Sequence, residues 1–125
     1  MLIGCENQKI KRCRRLLLQI AEVFKALAEP VRLRLFSLLT TKKELCVCHL
    51  TEALSLPQST VSRHLGVLRH AGLVSPRRQG KWMYYRLTEQ TPKSLIELVL
   101  QCAQNDQILQ QDIKRLAEAL DCQSA

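Results

Sequence analysis

The chain has 125 residues and a formal net charge of +8, with 19 Lys and Arg against 11 Asp and Glu. This length predicts one domain with a single core, and no apolar run approaches the ~20 residues of a membrane span. We therefore expect a cytoplasmic protein with no membrane partner, whose six cysteines are ligands, reactive thiols or core residues rather than disulfides.

The positive charge is concentrated in the middle of the chain. No Asp or Glu occurs between Ser55 and Thr88. The same stretch contains six cationic side chains and two histidines, namely Arg63, Arg69, Arg77, Arg78, Lys81, Arg86, His64 and His70. A segment of one charge sign is typical of a surface that binds an anionic polymer. A solvated basic face is the alternative, but the complete absence of acids favours nucleic acid.

The first part of the chain predicts an arm followed by two helices. Residues 1–15 are basic, lack apolar periodicity and hold Cys5 and Cys13, so we interpret them as an N-terminal arm. From Leu16 to Ala28 the apolar residues follow helical spacing. Glu29-Pro30 should end this helix and start a second one, because Pro suits a first helical turn.

A helix-turn-helix is predicted next. A short third helix should run from about Glu44 to Leu54, with Cys46 and Cys48 near its start. Ser55-Leu56-Pro57 forms the turn, and a fourth helix spans about Gln58 to His70 with an apolar face at i, i+4 and i+7.

The remainder predicts a wing and a long helix. Ala71-Gly72 is a helix stop, and residues 73–87 read as a β-hairpin with a basic tip. A last helix from Thr91 to about Leu120 carries more apolar surface than so small a domain can cover. We therefore predict a mainly α winged helix-turn-helix of about five helices and a two-stranded wing. Residues 16–120 form the DNA-binding and dimerisation domain of a homodimer, and residues 121–125 a tail.

The expected DNA contacts lie on the fourth helix and the wing. The fourth helix should enter the major groove and the wing should hold phosphate or the minor groove. The residues concerned are Gln58, Ser59, Thr60, Ser62, Arg63 and His64 on the helix, and Arg77, Arg78 and Lys81 on the wing.

Cys46 and Cys48 are the candidate sensing residues. Helical residues two apart point about 200° apart, so the two thiols cannot both face one core. For the same reason, both could bind one ion only if the first turn of their helix distorted. That distortion should move residues 59–64 relative to the DNA, so that ligand and DNA weaken each other's binding.

Four motifs together resemble the ArsR/SmtB family of metalloregulatory repressors, and within it the arsenical-resistance repressors. They are Glu44-Leu45-Cys46-Val47-Cys48, Ser62-Arg63-His64-Leu65, Arg78-Gln79-Gly80-Lys81-Trp82 and Tyr85-Arg86-Leu87. The resemblance implies a dimeric winged-helix repressor of operator DNA with no constitutive cofactor. It also implies that arsenite or antimonite, bound by Cys46 and Cys48, releases the protein from the operator.

The sequence departs from the family motif C-V-C-D-L-C at two positions. His49 replaces the Asp and could be a nitrogen ligand, although we expect a solvated side chain there. Thr51 replaces the third Cys. A hydroxyl is a poor ligand for a soft ion, so the third ligand is Cys13, Cys5 or none. Cadmium- and lead-responsive relatives use arm cysteines, which makes a Cd(II)/Pb(II) repressor the alternative.

Two other classes of protein fit the sequence less well. A C-x-C redox enzyme should show a thioredoxin-like βαβ layout, which the sequence lacks. No catalytic triad, phosphate loop or paired-carboxylate motif is visible, so we predict that the chain is not an enzyme. A ligand-independent architectural DNA-binding protein would explain the charge and the wing but not the paired thiols.

Overall fold

The computed structural model describes the backbone of residues 16–124 and the side chains of residues 16–121. In these residues the chain forms six helices and three strands. In chain order they are α1 (residues 16–27), α2 (Pro30–Thr41), β1 (Leu45–Cys46), α3 (Val47–Leu54), α4 (Gln58–His70), β2 (Val74–Gln79), β3 (Trp82–Leu87), α5 (Lys93–Gln104) and α6 (Gln107–Ser124). The α3–α4 pair and the β2–β3 hairpin confirm the predicted winged helix-turn-helix.

The start of α2 follows the predicted capping chemistry. Glu29 is the N-cap residue, and its carboxylate accepts a hydrogen bond of 3.0 Å from the backbone N–H of Arg32. Pro30 occupies the first helical turn, where its missing N–H costs nothing. The cap satisfies one of the free backbone N–H groups at the start of α2.

Two tight connections hold α4 and the wing in place. Gly72 has φ +82°, and the N–H of Leu73 returns to the carbonyl of Leu68 at 3.0 Å, which is the glycine-based stop expected after α4. In the wing, Gln79 pairs with Trp82, so Gly80 and the residue after it form a two-residue turn, with φ +61° at Gly80.

The segment before α3 differs from the prediction. Leu45 and Cys46 form a strand rather than a helical turn, and pair antiparallel with Tyr85 and Tyr84 of β3. The sheet is therefore three-stranded, in the order β1-β3-β2, rather than a two-stranded hairpin. The physical reason is that the outer edge of β3 has unpaired backbone groups, which β1 satisfies while it buries Leu45 and Cys46.

The prediction of one long final helix is also wrong, because this part of the chain forms two helices, α5 and α6. α5 ends at Gln104, and its C-cap residue Asn105 has a backbone that is not helical (φ −108°, ψ 1°). Asp106 then caps α6, since its carboxylate accepts a hydrogen bond of 2.9 Å from the N–H of Leu109. The Asn-Asp pair thus stops one helix and starts the next.

The core lies between α2, α3, α4 and the sheet, and α6 closes it. Its fully buried side chains include Leu35, Phe36, Leu38, Leu50, Leu65, Leu68 and Leu116. A bidentate ion pair fastens α6 to α2: Arg34 donates from Nε and Nη2 to the buried carboxylate of Asp112 at 2.8 and 2.9 Å. Within the described residues, no helix is long and apolar enough to cross a membrane.

Candidate thiol site and nucleic-acid interface

The two thiols meet at the junction of β1 and α3. Cys46 is the last residue of β1 and the N-cap of α3, with an extended backbone (φ −73°, ψ 146°). Cys48 lies in the first turn of α3, and the two Sγ atoms are 2.8 Å apart, with both cysteines free of disulfides. The prediction that the thiols diverge on one helix is therefore wrong, because Cys46 is not helical. The site is formed without unwinding α3.

His49 lies beside the thiols. One ring nitrogen of His49 and the Sγ atoms of Cys46 and Cys48 all lie within 4.8 Å of one another. The side chain is buried, with 9% of its surface exposed, so the expectation that it is solvated is wrong. Thr51, at the position of the family's third cysteine, instead donates its hydroxyl to the carbonyl of Cys48 at 2.8 Å. Among the described His, Cys, Asp and Glu residues, His49 is the one whose ligand atom lies close to both sulfur atoms.

The wing provides the other wall of the site. Trp82 and Tyr84 of β3 line, with Cys46, Cys48 and His49, a cavity of about 290 Å³. They lie two residues apart on a strand and so face the same side of the sheet, and the pairing of Cys46 with Tyr84 brings that side over the thiols. Trp82 is 45% exposed, which leaves the cavity open to solvent on its side.

Two wing cations rest on these aromatic rings. The guanidinium of Arg77 lies 4.9 Å from the centre of the Tyr84 ring, and the ammonium of Lys81 lies 5.3 Å from the Trp82 ring. Cation–π contacts of this kind fix the position of a long, flexible side chain. The walls of the thiol cavity are therefore in direct contact with predicted DNA-binding residues.

Arg77 is also tied to the segment that precedes the thiols. It donates from Nε and Nη2 to the carboxylate of Glu44 at 2.8 and 2.6 Å, and from Nη1 to Gln79 at 3.0 Å. The Arg77 guanidinium lowers the pKa of Glu44, and the carboxylate raises the pKa of Arg77. Arg77 is exposed and Glu44 is half-exposed, so water screens their ion pair, which serves to position Arg77 rather than to stabilise the fold.

The recognition helix presents most of its predicted residues. Thr60 is half-buried, and four other candidates are exposed: Gln58, Ser59, Ser62 and Arg63. Arg78 and Lys81 at the wing tip are exposed as well. The structure thus brings eight of the nine predicted contacts to the accessible surface of α4 and the wing.

His64 is the exception. It was expected on the polar face of α4 but is buried, and Arg32 donates from Nη1 to its Nδ1 at 3.3 Å. Burial lowers the pKa of His64, so the ring is neutral near neutral pH, and its approach of 3.8 Å to the Glu29 carboxylate is not an ion pair. Arg32 also donates to the carbonyl of Ala26 at 2.6 Å, so His64 connects α4 to the α1–α2 turn.

The remaining cysteines are distributed differently. Cys5 and Cys13 lie outside the described residues, as does the side chain of Cys122. Cys102, expected in the packing of the last helix, is exposed on α5.

Sequence reasoning missed Glu44, Trp82 and Tyr84 as parts of the site. The alternation of side chains along a strand could have placed Trp82 and Tyr84 on one face, but it gives no sign of which segment that face meets.

Comparisons with known proteins agree with one another in matching this chain to bacterial regulators. Residues 29–75 match the model of the "Bacterial regulatory protein, arsR family". The chain is 44% identical over 99 residues to the arsenic resistance transcriptional regulator ArsR1 of Pseudomonas putida, covering 77% of this chain and 76% of that protein. It is 48% identical over 71 residues to the arsenical resistance operon repressor of Escherichia coli, covering 57% of this chain and 61% of that protein.

A solved structure shares the fold. It is the homodimeric winged helix-turn-helix DNA-binding domain of a protein from Mycobacterium bovis, with a TM-score of 0.66 and 36% identity. The alignment covers 74% of this chain and 85% of that domain.

Proposed function

Since this chain belongs to the arsR family of bacterial regulatory proteins and is a winged-helix transcriptional repressor rather than an enzyme, we propose that arsenite and antimonite are its inducers. Cys46 and Cys48 bind the metalloid, and the protein then leaves its operator. The observation that carries this proposal is the pair of sulfur atoms 2.8 Å apart against the wing. Thiolates are the ligands that soft ions prefer.

A third sulfur for the metalloid comes from the N-terminal arm. Thr51 is engaged with the backbone and offers no thiol, and Cys102 is on α5, away from the cavity-lining residues. We assign this sulfur to Cys5 or Cys13, which lie outside the described residues. A two-sulfur site, with the third ligand not from the protein, is the alternative.

The wing transmits the signal in this proposal. An ion held by both Sγ atoms links Cys46, the last residue of β1, to Cys48 in the first turn of α3 and so acts directly on β1. Cys46 is paired to Tyr84, which supports Arg77, and Trp82 supports Lys81. Displacement of β1 therefore reaches two DNA contacts directly. Ligand and DNA must weaken each other's binding by the same factor.

The DNA interface is formed by α4 and the wing. The exposed residues of α4 enter the major groove: Gln58, Ser59, Ser62 and Arg63, with Thr60 beside them. Arg77, Arg78 and Lys81 hold phosphate or the minor groove. His64 is assigned to bracing α4 rather than to DNA, because it is buried against Arg32.

The repressor acts as a homodimer. α1 and α5 expose large apolar side chains that the described chain does not cover, among them Leu17, Phe24 and Leu98. On α1 the exposed residues Leu17, Ile20 and Phe24 lie along one side of the helix, and soluble proteins seldom leave an apolar strip of this kind to water. A second copy with the same patch forms a twofold-symmetric interface and reads a twofold-symmetric operator.

Release from the operator tests the proposal. The reduced, full-length protein is used to select its operator from random DNA, and the complex is titrated with arsenite, antimonite, cadmium and zinc. We expect arsenite and antimonite to dissociate the complex at lower concentrations than cadmium or zinc. If cadmium acts at far lower concentration, the repressor is of the Cd(II)/Pb(II) type. If none of the four acts, the protein is a ligand-independent DNA-binding protein.

Replacement of Lys81 tests the wing. We expect Lys81→Gln to weaken binding to operator and unrelated DNA by similar factors and to reduce the slope of log affinity against log salt by about one. Lys114→Gln, which removes an exposed lysine from α6, should leave the slope unchanged. An unchanged slope in Lys81→Gln would remove the wing tip from the DNA interface.

A further inference from the structure

We infer that Glu44 is an intramolecular competitor of DNA, whose carboxylate occupies the guanidinium of Arg77 until a DNA phosphate takes its place. The inference rests on the proposed DNA interface, which assigns Arg77 to phosphate or the minor groove. It adds to that interface a residue that weakens binding. It concerns the wing and DNA alone and is independent of which ion the thiols bind.

The register of the sheet brings the two side chains together. Arg77 of β2 pairs with Tyr84 of β3, and Tyr84 pairs on its other side with Cys46 of β1. Side chains directly opposite one another in antiparallel strands lie on the same face of the sheet. Glu44 lies two residues before Cys46, which is the spacing that returns a side chain to the same face of an extended segment. The carboxylate therefore meets the guanidinium on that face, at distances of 2.8 and 2.6 Å.

The contact uses the N–H groups that a phosphate would use. Nε and Nη2 of Arg77 each donate to one carboxylate oxygen of Glu44, and Nη1 donates to the side chain of Gln79 at 3.0 Å. Carboxylate and phosphate both accept a bidentate pair of hydrogen bonds from the planar fork of a guanidinium. A phosphate can therefore take the Nε–Nη2 edge of Arg77 only by displacing Glu44.

The pair is weak enough to exchange. The Arg77 side chain is 49% exposed and the Glu44 side chain 26% exposed, so water screens their attraction. The hydrogen bonds from Arg77, with the charges of Arg86 and Lys43, lower the pKa of Glu44, so its carboxylate is charged at neutral pH. A dense row of phosphates attracts Arg77 more strongly than this single carboxylate. Exchange leaves the carboxylate facing the polyanion, and this repulsion opposes binding.

The other wing cations differ from Arg77. Arg78 and Lys81 have no ion-pair partner among the described residues. A free cation that neutralises one phosphate contributes about 0.9 to the slope of log affinity against log salt. Arg77 should contribute much less, because it gives up a carboxylate when it gains a phosphate. Removal of Glu44 should therefore restore the full contribution of Arg77.

The experiment measures the affinity of the full-length, reduced protein for an unrelated DNA duplex at several salt concentrations, without arsenite. We expect Glu44→Gln to bind about three- to tenfold more tightly at about 0.1 M salt and to steepen the slope by about one. A gain in affinity is not the result of a damaged fold. Glu52→Gln removes an exposed carboxylate from α3 and is the matched control for the change in net charge. It should alter the affinity by less than about twofold.

A double-variant cycle identifies Arg77 as the group that Glu44 occupies. Arg77→Gln should flatten the slope by about one in the Glu44→Gln protein and by much less in the wild type. An equal loss in both backgrounds, or a Glu44→Gln protein that binds no more tightly than Glu52→Gln, would overturn the inference. If Lys81→Gln flattens the slope in that case, the proposed wing interface stands and the competitor alone is excluded. Unchanged slopes in the Lys81, Arg77 and Glu44 variants would exclude both.

Discussion

Replacing Cys46 and Cys48 together with serine is expected to give a repressor that binds its operator and is not released by arsenite. The reason is that the two sulfurs are the soft donors in the cavity, and a hydroxyl is a poor ligand for a soft ion. Each single variant should raise the arsenite concentration for half-release by about 100-fold or more, since one lost ligand bond removes several kcal/mol of binding free energy. The measurement is operator mobility against arsenite concentration.

The serine variants should remain folded. Cys46 is buried, so its replacement places a hydroxyl in an apolar setting at a cost of about 1–2 kcal/mol. Cys48 is half-buried and should cost less. Neither cost approaches the stability of an ordinary domain, about 5–15 kcal/mol. Operator affinity without arsenite is the check, and it should stay within about threefold of wild type, because the assigned DNA contacts are on other residues.

The other cysteines provide the controls. Cys102→Ser changes an exposed residue outside the cavity and should keep the wild-type response. A Cys5→Ser, Cys13→Ser protein is informative in either direction: loss of the response places an arm thiol in the site, and retention leaves a two-sulfur site. Release of the Cys46→Ser, Cys48→Ser protein at the wild-type arsenite concentration would show that the sensing site is elsewhere.

Local chemistry made much of this fold predictable. Glu29-Pro30 predicts a helix start because capping depends on neighbouring residues alone, and Gly72 predicts a stop because only glycine readily adopts a positive φ. The apolar spacing of Val61, Leu65 and Leu68 predicts the buried face of α4 for the same local reason. The wing tip follows from Gly80 and the basic residues around it.

The predictions that were wrong concern features that depend on contacts between residues far apart in sequence. Whether Leu45 and Cys46 extend a helix or form a strand is decided by the free edge of β3, which is far away in sequence. The same pairing brings the two thiols together and sets Tyr84 beside them. His49 and His64 were misplaced because burial depends on which elements pack around each ring. The break at Asn105-Asp106 had a local signal, an Asp cap, that apolar periodicity concealed.

The chemistry of the site was only partly accessible to sequence. The spacing of Cys46 and Cys48 identified the pair, but the predicted route to DNA ran through the distortion of α3. The structure offers a shorter route, in which Glu44 holds Arg77 and the cavity walls Trp82 and Tyr84 hold Lys81 and Arg77. That route required the register of β1 on β3, which no local pattern supplies.

Placing a charge on α1 is expected to separate the repressor into monomers. The apolar side of this helix includes Leu17, Ile20 and Phe24, spaced three and four residues apart, and each is between 52% and 66% exposed in the single chain. The adjacent side, with Val23 and Leu27, packs on the core. The apolar surface of this helix is therefore wider than the part that the chain itself covers, and the remainder is available to a second copy. Phe24→Glu puts a carboxylate where a second copy should pack.

The effect on DNA binding should be large. A dimer engages two half-sites, and the second contact is intramolecular, which typically adds 10²–10⁴-fold to the affinity. We therefore expect Phe24→Glu to sediment as a monomer at micromolar concentration and to bind operator roughly 100-fold more weakly or worse. Gln19→Glu is the matched control, because it adds the same charge to an exposed polar position of the same helix and so includes any general repulsion from DNA. A Phe24→Glu protein that stays dimeric with Gln19→Glu affinity would exclude α1 from the interface, and a wild-type monomer on a single half-site would exclude the dimer itself.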